Sequence, residues 1–327
     1  MINDAKYNKI ELQRIQCPQH AARVSESLAE GFEDYFAEYI SAAPVRHEQF
    51  LKKLKNYRSN IAISPEERLQ ERFAEAVKLF TKNRENDYDG LLDAEALGEY
   101  AHDVKQFVHD FLLLPLINNA RHAPLETMEK WQMKLSQSAR KNPKAFFDVV
   151  RGVSEFADTF GQHHSWESLR IQTDPALLPF DAFSTPHPEE QSAQPRPILG
   201  IPGVVGPGIT SMLMYYRNPE LLPARSRFAL AAMHFLSEQG RFGLESNEFI
   251  IWNTHTNNCS TNYLYPYSVF YFHAVRLADL LQDAVDSLGV EFPTNFRMVL
   301  LEDFFKFVSN KNQEEIDSWI EGAPYYE

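Results

Sequence analysis

Cysteine is almost missing from this chain: Cys17 and Cys259 are the whole complement in 327 residues, far apart and in no Cys-x-x-Cys pair. That excludes a disulfide framework and a cysteine-based zinc site. Long apolar runs are missing too. The densest, Phe107 to Ile117, is too short to cross a bilayer and carries His109, Asp110 and Pro115, so no membrane partner is expected. The opening stretch MINDAKYNKIELQRI lacks the apolar core of a secretory signal, and a cytoplasmic location is expected. No G-x-x-x-x-G-K-[ST], no strand-linked G-x-G-x-x-G and no G-x-S-x-G elbow occurs, so nucleotide hydrolysis, dinucleotide chemistry and that type of serine hydrolase have no support. No cofactor and no metal is expected. Positive charge is scarce: the net charge is −13, which opposes nonspecific attachment to a polyanion over the whole surface.

What is present is a globular composition, 44% hydrophobic and 24% charged, with helical periodicity. Val24, Leu28, Phe32, Phe36 and Ile40 recur at a spacing of four and predict a helix over Arg23 to Ile40. A second is expected at Arg46 to Tyr57. Ser64-Pro65-Glu66-Glu67 is a helix start, with a capping serine, a proline at the first position and a glutamate at the third. The helix it opens should reach Thr81, with KNRENDYDG as a loop after it. Further helices are expected over Leu91–Ile117, Pro124–Arg140, Pro143–Phe160, Ile209–Arg217, Arg225–Gln239, Tyr267–Leu288 and Phe296–Val308, with a last one capped at Asn312. Phe249 to Trp252 reads as a strand or a buried loop, and Asn257 to Asn262 as a polar loop. Eight of the 19 prolines fall between Thr173 and Pro207, where no long regular element survives. The expected organisation is a helical part over 1–172, a proline-rich linker or covering loop over 173–197, and a second helical part over 198–327.

The unusual stretch is Ile198 to Phe235. Gly200, Gly203, Gly206 and Gly208 alternate with Pro202 and Pro207 ahead of a helix, so the backbone must turn sharply there. A helix start lined by glycine can present amides to an anion, phosphate included; a tight structural turn is the competing reading. Charge supports the first. Arg196 to Arg241 holds five arginines against Glu220 and Glu238, a local net of about +3, whereas Phe242 to Glu327 is at about −9. The candidate contact residues for DNA or RNA are therefore Gly203, Gly206, Gly208, Thr210, Arg217, Arg225 and Arg227.

GIPGVVGPGITSMLM resembles the hairpin of helix-hairpin-helix DNA-binding proteins, with Gly203 and Gly206 bracketing the turn and Thr210 and Ser211 as the small positions. Val204-Val205 stands where that family usually has a single apolar residue. The order of Asn142-Pro143-Lys144-Ala145-Phe146, the glycine turn, Asn218 to Pro223 and Asp303-Phe304-Phe305 resembles helical modules of bacterial restriction-type and mobile-element defence proteins, over roughly residues 140–310. The resemblance implies an all-α, multi-helix protein with a helix-hairpin-helix-like C-terminal module, associated with nucleic acid in genome defence. It carries over no catalytic residue. Helix-hairpin-helix glycosylases place an aspartate shortly after the hairpin helix, and Pro223 to Arg227 holds no carboxylate.

Other constellations offer alternatives. Arg227 and His234 form the Arg-x6-His spacing that resembles HEPN-type metal-independent ribonucleases, although Phe228 follows the arginine where that family is polar. Arg14 and His20 come close to the same spacing. Glu99 and His102 form the Glu-x-x-His used twice in di-iron bundles, and no second copy exists. Tyr263, Tyr265, Tyr267, Phe270, Tyr271 and Phe272 could stack on bases, but an aromatic packing face explains them more simply. The leading expectation is a non-enzymatic nucleic-acid-contacting or adaptor component of a defence or mobile-element system. The alternatives are an acidic module that meets a basic protein partner, and a ribonuclease using Arg227 and His234.

Overall fold

Helix starts follow the local chemistry of the chain. The computed structural model describes residues 13–42, 64–118, 125–180, 200–201, 204–238, 240, 242, 248–253, 258–262 and 264–321. Helix α1 spans Pro18–Ser41 and α2 spans Pro65–Asn83. Proline at its first position lets α1 begin ahead of the expected Arg23. At α2 the Ser64 hydroxyl accepts from the Glu67 amide at 3.2 Å and the Glu67 carboxylate accepts from the Ser64 amide at 3.1 Å, closing the capping box.

Two expectations fail for identifiable reasons. The loop expected after Thr81 is a π-helical turn, Arg84–Tyr88, running into α3 at Asp89–Leu92. Tyr88 is buried there and stacks on Tyr216 with ring centroids 3.7 Å apart, a burial that outweighs the polar composition around it. The single helix expected over Leu91–Ile117 is broken into α4 (Ala94–Tyr100), α5 (Val104–Leu113) and α6 (Pro115–Asn118). Asp93 adopts an extended conformation, and the Asp103 carboxylate accepts from the Gln106 amide at 3.1 Å, so each aspartate opens a new helix instead of continuing the old one.

Helices α7 (Leu125–Lys141), α8 (Pro143–His163) and α9 (Trp166–Arg170) follow, then a 3₁₀ turn at Pro175–Leu177. The helix expected at Arg46–Tyr57 and most of the proline-rich segment, residues 181–199, lie outside the described residues. Next come α10 (Pro207–Arg217) and α11 (Arg227–Leu236). Strands β1 (Ile250–Asn253) and β2 (Asn258–Thr261) pair antiparallel, Ile250 opposite Thr261 and Asn253 opposite Asn258. Most of the expected polar loop is thus a strand. Helix α12 (Tyr267–Ser287) stops at Gly289, whose φ of 71° suits glycine. A 3₁₀ turn at Thr294–Phe296, α13 (Arg297–Lys311) and α14 (Gln313–Glu321) follow, and among the described residues the fold is all-α apart from the two-stranded ribbon. Among the described residues no helix is long and apolar enough to cross a membrane.

Helix α11 is the centre of the packing, with every residue from Ala229 to Leu236 buried. It packs on α13 and α1, and the ribbon covers it as well. Helix α1 packs in addition on α12. Helices from both sides of the proline-rich segment therefore share one apolar core. Gly31 of α1 makes the closest approach: a Cβ there would lie 2.0 Å from the Leu236 carbonyl oxygen.

Two substitutions to alanine should diverge. Gly31→Ala must push α1 off α11 and should cost about 2 kcal/mol or more, despite alanine's better helix propensity. Gly98→Ala, in α4 with nothing within 4 Å of the new methyl, should stabilise by about 0.5–1 kcal/mol. Chemical denaturation of both variants measures the difference.

Candidate functional site

The glycine turn is held from inside. Ile201 and Val205 exchange backbone hydrogen bonds of 2.9 and 2.8 Å, and a side chain at Gly200 would collide with the Val205 carbonyl at 2.7 Å. The Trp131 indole donates to the Val204 carbonyl at 3.2 Å and pins the turn against α7. Gly203 lies outside the described residues. Gly206 is exposed and is the N-cap of α10, with no side chain capping the helix. Pro207 has no N–H, and the Ile209 and Thr210 amides both bond the Gly206 carbonyl, at 3.0 and 3.2 Å. Among the described residues nothing accepts from the amide of half-buried Gly208, the second residue of this helix. Thr210 is fully buried and its hydroxyl donates to the Gly206 carbonyl at 3.3 Å.

The three arginines are not gathered on one open face. Arg217 ends α10 and makes a forked pair with Asp158, at 2.7 and 3.0 Å, and a third bond to Asp93 at 2.7 Å. Those hydrogen bonds hold its charge firmly in place, raising its pKa. Arg225 is 4% exposed; its Nη1 donates to the carbonyls of Tyr265 and Asn262 at 2.8 and 3.4 Å. Its Nη2 comes to within 4.0 Å of where a Gly208 side chain would begin. Arg227 is half-buried and lies over the Phe228 ring, 4.5 Å from its centroid. So the structure brings Arg225 and Gly208 together and sends Arg217 and Arg227 elsewhere.

His234, the other member of the Arg-x6-His pair, is buried at 5% exposure with its ring edge-on to Phe235 and Trp319, each at 5.2 Å. Glu99 and His102 are both exposed and are separated by the end of α4, so they share no helix face. Among the described residues no group of three or more potential ligands is placed to hold a metal ion. Tyr265, Tyr267, Phe270, Tyr271 and Phe272 are all buried, as an aromatic packing face requires, and Tyr263 lies outside the described residues. The motif residues are also structural. Asn142 caps α8, Asn218 caps the turn after α10 by accepting from the Leu221 amide at 3.2 Å, and Asp303 receives Arg72 and Tyr39 at 2.6 and 2.8 Å.

Compared with known protein families, curated proteins and solved structures, the chain matches none.

Three acid–base pairings formed only by folding escape any sequence pattern. His20 Nε2 lies 3.1 Å from Glu248 Oε2 across 228 residues, and the Tyr265 hydroxyl donates to Glu248 Oε1 at 2.8 Å. Ser25 Oγ lies 2.8 Å from His273 Nδ1. The distance suits a nucleophile and its base, but burial and then the neighbouring charges of His20 and Arg276 drive the His273 pKa down to about 3, too low to take a serine proton. Among the described residues His273 Nε2 has no hydrogen-bond partner. A proton on Nδ1, donated to Ser25, leaves a bare lone pair there, which is easier to bury than an unmatched N–H. Near the start of α11, the Ser226 hydroxyl donates to Glu302 Oε2 at 3.0 Å, so a carboxylate from α13 stands beside the segment that has none of its own. Burial pushes the Glu302 carboxyl up to about 7.

These two groups tilt stability in opposite directions. Folded His273 refuses a proton that the unfolded chain accepts below about pH 6.5, so stability should fall between about 6.5 and 3 by up to ~1.4 kcal/mol per pH unit. Folded Glu302 keeps a proton that the unfolded chain releases above about 4.5, so its contribution is full below that pH and lost as pH rises towards about 7. Melting curves should show Glu302→Gln raising Tm at pH 8 more than at pH 4, and His273→Asn flattening the loss on the acid side.

Proposed function

We propose that this protein works by binding, as a non-enzymatic adaptor that meets a nucleic-acid phosphate at the start of α10. The observation that supports this is the placement of the Arg225 guanidinium beside Gly208, at the positive end of an uncapped helix. Helix dipole and guanidinium add their fields at one point, and glycine leaves no side chain in the way. Arg227 contributes charge at longer range only, and the charge of Arg217 is taken up by Asp93 and Asp158. A contact this small suits a component that is held to its target by other proteins as well. Its setting in genome defence rests on the motif resemblance alone.

A second reading is favoured by a specific observation. Arg217 is already neutralised by Asp93 and Asp158, which takes a cation out of the basic island, and the net charge of −13 suits a basic protein partner. The ribonuclease reading gains no comparable support, since His234 sits beneath Trp319.

Labelled DNA and RNA should bind the full chain at 50 mM salt, and one or two phosphate contacts predict a loss of only about four- to twelvefold at 200 mM. Gly208→Asp tests the site without threatening the fold, because an acid is favoured in a first helical turn and the new carboxylate would occupy the anion's place. Binding should vanish while Tm holds or rises. Absence of binding by the unaltered protein at 50 mM would overturn the proposal in favour of the basic partner.

A further inference from the structure

Helix α7 carries a row of surface cations. Lys130, Lys134, Gln137 and Lys141 follow one another at intervals of four, three and four residues, so they line one row along the helix, with Met133 and Arg140 in the row beside it. All six are exposed, Met133 at 58%. The opposite side of α7 is buried in the core through Leu135 and Ala139. Among the described residues Lys134, Arg140 and Lys141 make no ion pair.

A row of opposite sign runs along α12. Asp279, Asp283 and Asp286 recur at four and three residues, the spacing of the α7 row. Asp283 and Asp286 are exposed and, among the described residues, make no ion pair. Asp279 accepts from Arg170 Nη1 at 2.9 Å, and the Gln172 carbonyl accepts from Arg276 Nη2 at 3.2 Å. Those two bonds fix Ile171, 72% exposed, beside the acidic row. Leu177, 70% exposed, stands on the 3₁₀ turn that packs against the same helix. Met133, Ile171 and Leu177 are three of the five large apolar side chains left exposed among the described residues, and they flank the two charged rows.

Two classes of partner suit a lysine row, a nucleic-acid backbone and an acidic protein face. Phosphates would satisfy the lysines but leave Met133 nothing to pack on. The α12 face offers carboxylates at the matching spacing with two apolar side chains beside them. A membrane surface is a poor fit, because the apolar side of α7 is already inside the protein. We propose that α7 of one copy docks on the α12 face of a second copy, Lys134 and Lys141 opposite Asp283 and Asp286, with Met133 against Ile171 and Leu177. Such a contact joins unlike surfaces, so it adds copies head to tail unless a two-fold axis closes it. Exposed ion pairs are individually weak, which makes the association weak and sensitive to salt. The geometry involves no residue of the α10 start and stands whether or not nucleic acid binds there.

Sedimentation velocity of the full chain tests this. At about 20 mM salt the weight-average mass should rise above the monomer as concentration approaches about 100 µM. The dissociation constant should increase about tenfold or more at about 500 mM salt, where the screening length falls to about 4 Å. Lys134→Glu with Lys141→Glu should stay monomeric, as should Asp283→Lys with Asp286→Lys; all four positions are exposed, so Tm should hold. An equal mixture of the two variants should regain the lost mass, since each supplies the face that the other has reversed. A monomer at every concentration up to about 500 µM in about 20 mM salt would overturn the proposal. Association that survives either reversal would overturn it too, as would a mixture that stays monomeric. A chain that stays monomeric, and whose oligonucleotide binding the lysine reversal lowers, would make the row a nucleic-acid contact instead.

Discussion

A helix with no exposed face imposes the strongest constraint on this molecule. Ala229 to Leu236 must be covered on every side, and a ten-residue helix cannot supply its own covering. Helix α1 comes from far upstream and α13 from downstream, and the ribbon closes another side. Alanine at 229, 231 and 232 and glycine at 31 are the small residues that let these elements come close. The cost of a methyl group at Gly31 is therefore a measure of how tightly the centre is built.

Closing that core carries polar groups inside with it. The basic island of the linear sequence is largely consumed in this way: Arg217 joins α10 to Asp158 and Asp93, and Arg225 ties the start of α11 to the carbonyls before α12. Partners for these groups are backbone carbonyls and aspartates from distant segments, so their charge is spent on holding helices together. What remains of a phosphate site is one helix start with one guanidinium behind it. Arg297, which stands in an acidic stretch, is drawn inward as well, over the Trp166 ring. Linear charge density is a poor guide to surface potential when arginines are drawn inward.

Burial also sets the chemistry of the ionisable groups. Ser25 and His273 have the spacing of a catalytic pair, but desolvation makes the imidazole a poor base. Cys259 is buried with its thiol pushed up to about 12, which leaves it unreactive at neutral pH. Glu302 is buried beside Ser226, and burial pushes its carboxyl up to about 7. In each case proximity without access makes the pair a structural one.

Local signals in the sequence determined the helical class and many of the helix ends, because capping chemistry acts over a few residues. The box at Ser64 and Glu67, the proline start after Asn142 and the glycine stop at Gly289 all appear where the chain spells them. The same short range explains the misses: apolar spacing over Leu91–Ile117 hid two aspartates that open new helices, and the asparagines after 257 masked a strand that only its pairing with β1 makes stable. For the candidate sites, the glycine turn was legible and its neighbours were not. That Arg225 would stand behind Gly208, that His234 would lie under Trp319, and that Arg297 would be buried over Trp166 were decided by packing among segments tens to hundreds of residues apart. Charge and periodicity along a chain carry no information about such distances, because they arise only when the buried helix draws its covering from both ends of the sequence.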